Sequence, residues 1–328
     1  MHITSSIQTH LWQKLLDKSP TASFFQSPEC YDFYSSLNFL KPFVFAVLEN
    51  EKLMAVMCGY LIADGNSLKS YFSRRAIVPG GLLLDTNISA EATQKLVQHA
   101  IQELKNQAIY IEIRNYNDYS IFRKNIESAG FKYTEHFDIH VVTSNLKSVL
   151  SGLSETKRRQ LKTAQKNDVT WSETTQSIDV IEFYACLRKL YTSKIKMPLF
   201  PVEFFQKLVL LNNGKLLVVK QNGKIIGGMA CVILANKKIY EWFVCGDETV
   251  EKTFYPSVVA TWAGLECAVN NNIPCFDFMG AGKPDKEYGV REFKSKFGGE
   301  LLEYGRFLYI CNPKLYNLGK WMLRKIKM

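Results

Sequence analysis

DFMGAGKPDKEYGVREFKSKFGGELLEYGRF, residues 277–307, sets strand, glycine turn, cationic segment and strand in one run. A short apolar strand at 275–279 enters the turn Gly280-Ala281-Gly282. A basic, helix-like segment follows, carrying Lys283, Lys286, Arg291, Lys294 and Lys296. The pair Gly298-Gly299 then opens an alternating strand over 300–310. This succession can hold an anionic group beside exposed backbone N–H donors. A functional site is expected here.

The same layout occurs twice in the chain. Apolar runs at 43–49 and 53–62 flank Asn50-Glu51-Lys52, and runs at 215–220 and 225–234 flank Gln221-Asn222-Gly223. Each reads as a β-hairpin. A helical pattern over 90–106 then leads to a strand at 109–113. Its counterpart over 257–269, with Val259, Trp262, Ala263 and Cys267 along one face, leads to 275–279. Glu112 and Asp277 fall at comparable strand positions. Both units are expected to close on a glycine and an alternating segment, 130–142 and 299–310. A long repeat with a strand–helix–strand core predicts two α/β domains.

Bulk properties agree. A chain of 328 residues suits two domains of about 150 residues each. An apolar share of 47% is that of an ordinary globular protein. No apolar run is long enough to cross a bilayer. The N-terminal segment lacks the pattern of an export signal, so a cytoplasmic location is expected. Eight scattered cysteines without a C-x-x-C pair read as reduced thiols and argue against a zinc site. All five histidines lie in the first half, so the second half is expected to work without a local histidine base, against a Ser-His-Asp hydrolase there. A net charge of +10 suits an anionic partner or simply a basic surface.

Between the two units, Ser154 is the expected N-cap of a helix over 155–166, with further helices at 178–193 and 201–211. Arg159, Lys162 and Lys166 then share one helix face, flanked by Lys157 and Arg158. That stripe suits a diphosphate or a tRNA backbone, or is a solvated helix face. Tyr240 and Trp242, two residues apart on a strand, would share a face and could stack on a sugar or base, or fill the core. Asp277 could act as a base, or satisfy N–H groups at the Gly280 turn, the reading we favour. Gly280-Ala281-Gly282-Lys283 is no P-loop, because Pro284 follows the lysine. Arg74-Arg75 and Gly80-Gly81 mark a basic turn in the first unit. The tail, with Trp321, Met322, Leu323 and Ile326 among basic residues, could lie on anionic lipid or, the favoured reading, pack on its parent domain.

Hairpin, helix, strand, helix and closing strands, present twice, resemble tandem GNAT-type acyltransferase units and in particular the Fem-type (FemABX) aminoacyltransferases, which add amino acids to peptidoglycan precursors. The resemblance rests on Phe25-Gln26-Ser27, on LSETKRRQLKTAQKNDV at 153–169, on Tyr255-Pro256-Ser257, and above all on EFKSKFGG at 292–299. It implies an α/β (α+β) protein of two tandem GNAT-like domains, each a mixed sheet flanked by helices, without a coiled-coil arm. Expected boundaries are 1–148, 149–311 with a helical entry segment, and a basic C-terminal helix over 312–328. Lys294 and Phe293 match the Phe-Lys pair of such enzymes, which implies a catalytic role; Lys294 would stabilise developing negative charge or the donor's terminal phosphate and ribose. Arg158, Arg159, Lys162, Lys194, Tyr240, Trp242, Lys283 and Arg291 are the candidate substrate contacts.

There are departures from the family pattern. No R/Q-x-x-G-x-G/A loop, the CoA pyrophosphate cradle of ordinary GNAT enzymes, follows Tyr71 or Val244. Lys41 is the lysine nearest Tyr34, where relatives place a substrate-binding lysine, and Lys194 stands where arginine is common.

The expected activity is amide formation, with aminoacyl-tRNA as donor and an anionic cell-envelope precursor as acceptor. It would need no cofactor or metal and would act in the cytoplasm or at the inner face of an anionic membrane. An acyl-CoA or carrier-protein thioester acylating an amino sugar or lipid is the alternative. A non-catalytic tandem-GNAT binding module is the second.

Overall fold

Asn50 and Glu51 take φ of 47° and 64°, and Asn222 and Gly223 take 49° and 77°. Positive φ at both central residues is the turn that closes a two-residue hairpin. The hairpins therefore form where the turn residues predict them. The computed structural model describes residues 1–65 and 67–327, and side chains outside 66–69 and 322–328. It divides into two compact units, Met1–His136 with Glu303–Met328, and Phe137–Leu302.

In chain order, the first unit contains β1 (His2–Thr4), β2 (Lys41–Glu49), β3 (Lys52–Ile62), β4 (Arg75–Gly80), β5 (Leu83–Leu84), β6 (Tyr110–Asn115) and β7 (Lys132–Thr134). The second contains β8 (Phe137–Val142), β9 (Thr170–Glu173), β10 (Gly214–Gln221), β11 (Lys224–Leu234), β12 (Lys238–Gly246), β13 (Cys275–Asp277) and β14 (Glu300–Glu303). The chain then returns to the first sheet as β15 (Arg306–Ile310).

The first sheet runs β1-β2-β3-β4-β6-β15-β7, with β5 beside β3, and the second runs β9-β10-β11-β12-β13-β8-β14. Read side by side they match strand for strand. Each has a central parallel pair, β4 with β6 and β12 with β13, joined through a 15-residue helix, Ala90–Leu104 or Pro256–Asn270. The repeat therefore appears as two equivalent mixed sheets.

The closing strands depart from expectation. Residues 130–142 do not stay together: β7 remains in the first sheet, while β8 pairs with β13 of the second. Residues 299–310 split likewise, β14 staying and β15 inserting between β6 and β7. The boundaries at 148 and 311 thus give way to one at His136 and another at Glu303. The physical reason lies in the breaks. At His136 the backbone N–H donates to Glu303 (3.1 Å), and Tyr304 and Gly305 donate to the His136 carbonyl (3.3 and 3.2 Å). Gly305 has φ 65°, and a Cβ there would lie 2.2 Å from the Tyr133 ring, so a strand cannot run straight through it.

Each sheet packs one face on its long helix. Ala92, Leu96, Val97, Ala100 and Leu104 are buried in the first core, where their helix packs on β2 and β3. The helix Pro256–Asn270 is buried on more than the single face expected: Val258, Ala260, Leu265 and Ala268 are interior as well, and Trp262 is only partly buried. Gly264 allows the close approach, because a Cβ there would meet Met229 and Phe276 at 2.6 Å. The helix Pro313–Lys327 forms, with Trp321 exposed; the side chains of Met322, Leu323 and Ile326 lie outside the described residues.

Candidate functional site

β12 and β13 pair in parallel at only two positions, Ile239 with Phe276 and Tyr240 with Asp277. Beyond them β13 ends, while β12 continues through a bulge at Trp242, since Ala230 faces Phe243 and Cys231 faces Glu241. The segment after β13 turns through Met279, Gly280 and Gly282, all at positive φ. The helix Gly289–Ser295 follows; residues 283–288 of the expected basic helix lie outside it, with a turn and bend at 284–286. This arrangement brings Lys294 to the end of the short parallel pair.

The Lys294 side chain is buried. Its Nζ donates to the carbonyls of Phe278 (2.6 Å) and Gly280 (3.0 Å) and lies 3.2 Å from Glu241 Oε1. An ammonium has three N–H donors, and here each has a partner. Lys294 therefore pins the Gly280 turn and has no N–H to spare for a substrate oxygen, which corrects the expectation of a direct contact. Glu241, unnoticed in the sequence, keeps Oε2 buried and without a hydrogen-bond partner. Burial raises its carboxyl above the ordinary glutamate range, with the Lys294 charge pulling the other way.

A second buried cluster lies across β8 and β13. His140 faces Asp277 in the antiparallel register, with Nε2 2.9 Å from Oδ2. Lys238 Nζ lies 3.5 Å from both His140 Nε2 and Asp277 Oδ2. Asp277 Oδ1 accepts the Met279 N–H (2.7 Å), and Asp138 Oδ1 accepts those of Gly280 (2.8 Å) and Ile139 (2.7 Å). Asp277 thus satisfies the turn as favoured, but the Gly280 N–H itself goes to Asp138. Burial pushes both carboxyls up; His140 and Lys238 outweigh it at Asp277 and hold that group at about 2. Asp138 stays well above the carboxylate range, because burial is joined by the Asp277 charge. Asp138, His140 and Asp277 present ligand-type atoms within 4.8 Å of one another, and the Lys238 ammonium supplies the counter-charge from within the chain. The expectation that the second unit lacks a histidine is overturned: β8 delivers His140 from the first half of the sequence.

The remaining candidates sort by position. Phe293 is half-buried, 5.2 Å from the Phe297 ring, and Lys157 Nζ sits 4.0 Å from its centroid. Arg159, Lys162 and Lys166 are exposed on the helix Glu155–Lys166, and none has an ion pair among the described residues. Arg158 donates to the carbonyls of Ser151 (3.0 Å) and Leu153 (2.8 Å). Lys194 is exposed and paired with Glu248 at 2.6 Å. Arg291 donates to the Lys283 carbonyl (2.7 Å) and to that of Lys286, so it holds the loop that leaves Lys283 exposed. Tyr240 is fully buried, and the bulge at Trp242 breaks the alternation that put the two rings on one face; Trp242 packs edge-on against Phe204 at 4.9 Å. Of the two roles expected for Tyr240, stacking on a ligand or filling the core, its complete burial leaves core packing, so it is no substrate contact.

Other motif residues are structural. Buried Gln26 donates to the Gly80 carbonyl (2.9 Å) and accepts the Ser23 N–H (2.7 Å). Arg75 is held by Asp64 at 2.8 Å, and Lys41 donates to Gln107 at 2.6 Å.

Two matching mixed sheets with short parallel centres and long crossover helices make a tandem GNAT-like fold. Residues 211–323 match the FemAB family. The structure is similar to the crystal structure of FemX, with TM-score 0.72 and 15% identity over 97% of this chain and 99% of that one. It is similar to the C-terminal domain of a putative lysylphosphatidylglycerol synthetase from Agrobacterium fabrum (TM-score 0.59, 11% identity, 96% and 94% covered). It also resembles a tandem GNAT protein from the clavulanic acid biosynthesis pathway (TM-score 0.57, 10% identity, 93% and 95% covered). No curated protein matches the sequence. The C-terminal third of the chain thus matches the FemAB family, and the whole chain shares the fold of FemX. Among the described residues no helix is long and apolar enough to cross a membrane, and none exceeds 15 residues, so a long helical arm is absent from them.

Proposed function

We propose that the chain is an acyltransferase that forms an amide, with an aminoacyl ester on tRNA as donor and an amine of an anionic cell-envelope precursor as acceptor. The observation that carries this reading is the FemAB match over 211–323, which includes β12, β13 and the Phe293-Lys294 pair.

The chemistry follows from the Lys294–Glu241 pair. Attack on an ester needs a neutral amine, and the tetrahedral intermediate carries an oxyanion. Glu241, raised by burial and with an unpartnered oxygen, is suited to accept the proton of the incoming ammonium. Once Glu241 is neutral, the Lys294 charge no longer has its counter-ion. That charge then stabilises the oxyanion through the field, without needing a free N–H. The exposed stripe Arg159, Lys162 and Lys166 offers unpaired positive charge to donor or acceptor phosphates.

A thioester donor is the second reading, favoured by the likeness to a tandem GNAT protein. Against it, CGDET at 245–249, after Val244, lacks the glycine pattern that cradles a pyrophosphate. Incubation with charged tRNA or acyl-CoA, plus a nucleotide-linked muropeptide, tests the choice by acceptor mass. Consumption of only the aminoacyl-tRNA is expected. If neither donor is used with any amine acceptor, the transferase reading fails.

A further inference from the structure

The helix Ser177–Leu190 packs over the end of β12, and three contacts fix how they meet. A Cβ on Gly228 of β11 would lie 3.0 Å from the Phe183 ring. Gly228 is the register partner of Cys245, and cross-strand partners project from one face, so Cys245 turns its side chain toward this helix. Phe243, two residues before it on the strand, shares that face and lies 6.4 Å from the Tyr191 ring just beyond the helix. Lys189 reaches past Cys245 to Asp247 (3.1 Å) and Thr249 (3.0 Å). Cys186 stands one turn after Phe183 and one turn before Lys189. The helix thus sets Cys186 opposite Cys245, and the two thiols hydrogen-bond to one another.

This pair differs from the other neighbouring thiols. Cys30 lies near Cys58, and Cys231 near Cys267, but all four are buried. Cys186 is half-buried and reached by solvent, while Cys245 is buried behind it. The hydrogen bond with Cys245 lowers the Cys186 thiol below its ordinary value, with Lys189 working against burial and Asp247. The same bond, joined by burial, raises Cys245 well above its own. One thiol is therefore a reachable nucleophile, and its neighbour is held protonated beside it. A partly exposed thiolate next to a second cysteine is the arrangement in which oxidation ends in a reversible bond.

We propose that Cys186 and Cys245 form a reversible disulfide, with Cys186 the sulfur that meets the oxidant and Cys245 the sulfur that resolves it. The oxidant is a peroxide. The Cys186 thiolate attacks one oxygen of hydrogen peroxide, the O–O bond breaks, and the leaving hydroxide takes up the Cys186 proton as water. The Cys245 sulfur then attacks that of Cys186, the S–O bond breaks, and the hydroxyl leaves with the Cys245 proton as a second water. Two thiols are oxidised and one peroxide is reduced. The new bond ties the helix to the end of β12 and closes the chain between them into a loop, which restricts the unfolded state. In a reducing compartment such a bond is transient, as a redox sensor requires. The pair stands apart from the transferase reading, since it is read by mass alone.

The test is peptide mapping of the full, reduced chain after brief exposure to hydrogen peroxide and quenching with an alkylating agent, with untreated chain as control. The intact mass is expected to fall by two hydrogens, a peptide joining Cys186 to Cys245 to appear, and dithiothreitol to reverse both. The oxidised chain should melt at a higher temperature than the reduced one. Cys186→Ser should abolish the mass change and leave buried Cys245 reduced. Cys245→Ser should hold Cys186 at the sulfenic acid, captured by dimedone, with no rise in Tm. Cys30, Cys58, Cys231 and Cys267 should stay reduced throughout. Peroxide-treated wild type without the joined peptide overturns the proposal, and so does Cys186 advancing to sulfinic acid while Cys245 stays reduced. A bond from either cysteine to a different one, or buried pairs that oxidise as fast as this one, overturns it equally.

Discussion

His140 Nε2 lies 2.9 Å from Asp277 Oδ2, although 137 positions separate the two residues in the chain. The contact exists because β8 leaves its neighbour β7 and pairs with β13. Its counterpart in the first sheet is Glu112, which Arg114 and Arg306 hold at 2.7 and 3.1 Å, with Arg306 arriving on β15. In both sheets an acid on the central parallel strand meets a basic side chain from the strand that came from elsewhere.

This predicts opposite outcomes for two neighbouring aspartates. Asp277 is depressed to about 2, so its contribution is complete above the unfolded value near 3.8 and is lost as pH falls through the folded value. Asp277→Asn should cost about 3–5 kcal/mol at neutral pH, because His140 and Lys238 lose a buried counter-ion. Asp138 is raised, so the folded state binds the extra proton, and stability falls as pH climbs from about 3.8 toward the folded value. Asp138→Asn keeps an oxygen for the Gly280 and Ile139 N–H groups and should be near neutral or stabilising at pH 8. Denaturant midpoints at pH 5 and pH 8 decide it; a larger loss for Asp138→Asn would contradict the assignment.

The strand exchange predicts where damage appears. Phe307 on β15 is fully buried in the first core. Phe307→Ala should destabilise by about 3–5 kcal/mol. Hydrogen exchange should accelerate in β6 and β7, which flank β15, before β13. Faster exchange confined to β13 would show that β15 belongs with the second sheet.

For Lys294, turnover and stability should separate. Lys294→Met removes the partner of buried Glu241 and should lower stability by several kcal/mol and turnover by about 100- to 1000-fold. The double variant Lys294→Met/Glu241→Gln removes the lone charge and should recover most of the stability but none of the turnover. Recovery of activity in the double variant would reduce the pair to a structural role.

The exposed stripe predicts a salt effect. Donor binding should weaken with added salt, and Arg159→Gln should flatten the log–log slope by about 0.7–0.9 if it meets one phosphate. An unchanged slope in Arg159→Gln, Lys162→Gln and Lys166→Gln alike would show a solvated face.

Much of this was legible along the chain. Asn50-Glu51 and Asn222-Gly223 announce their hairpins through turn chemistry, and Ser154 announces its helix as an N-cap. Lys294 lay within a motif that could be read, but its three partners could not, since two are backbone carbonyls and the third, Glu241, looks like any strand residue. Trp242 misled because a bulge shifts the period by one residue, and nothing local marks it.

By itself the sequence determined the repeated hairpin, crossover helix and central strand, because turn conformation, capping and periodicity are properties of neighbouring residues. Tertiary structure alone decided which sheet β8 and β15 join, and hence that His140 meets Asp277 and Arg306 meets Glu112. The reason is physical: alternation tells a strand which side to bury, while its pairing partner is chosen by edges that only the folded sheets provide.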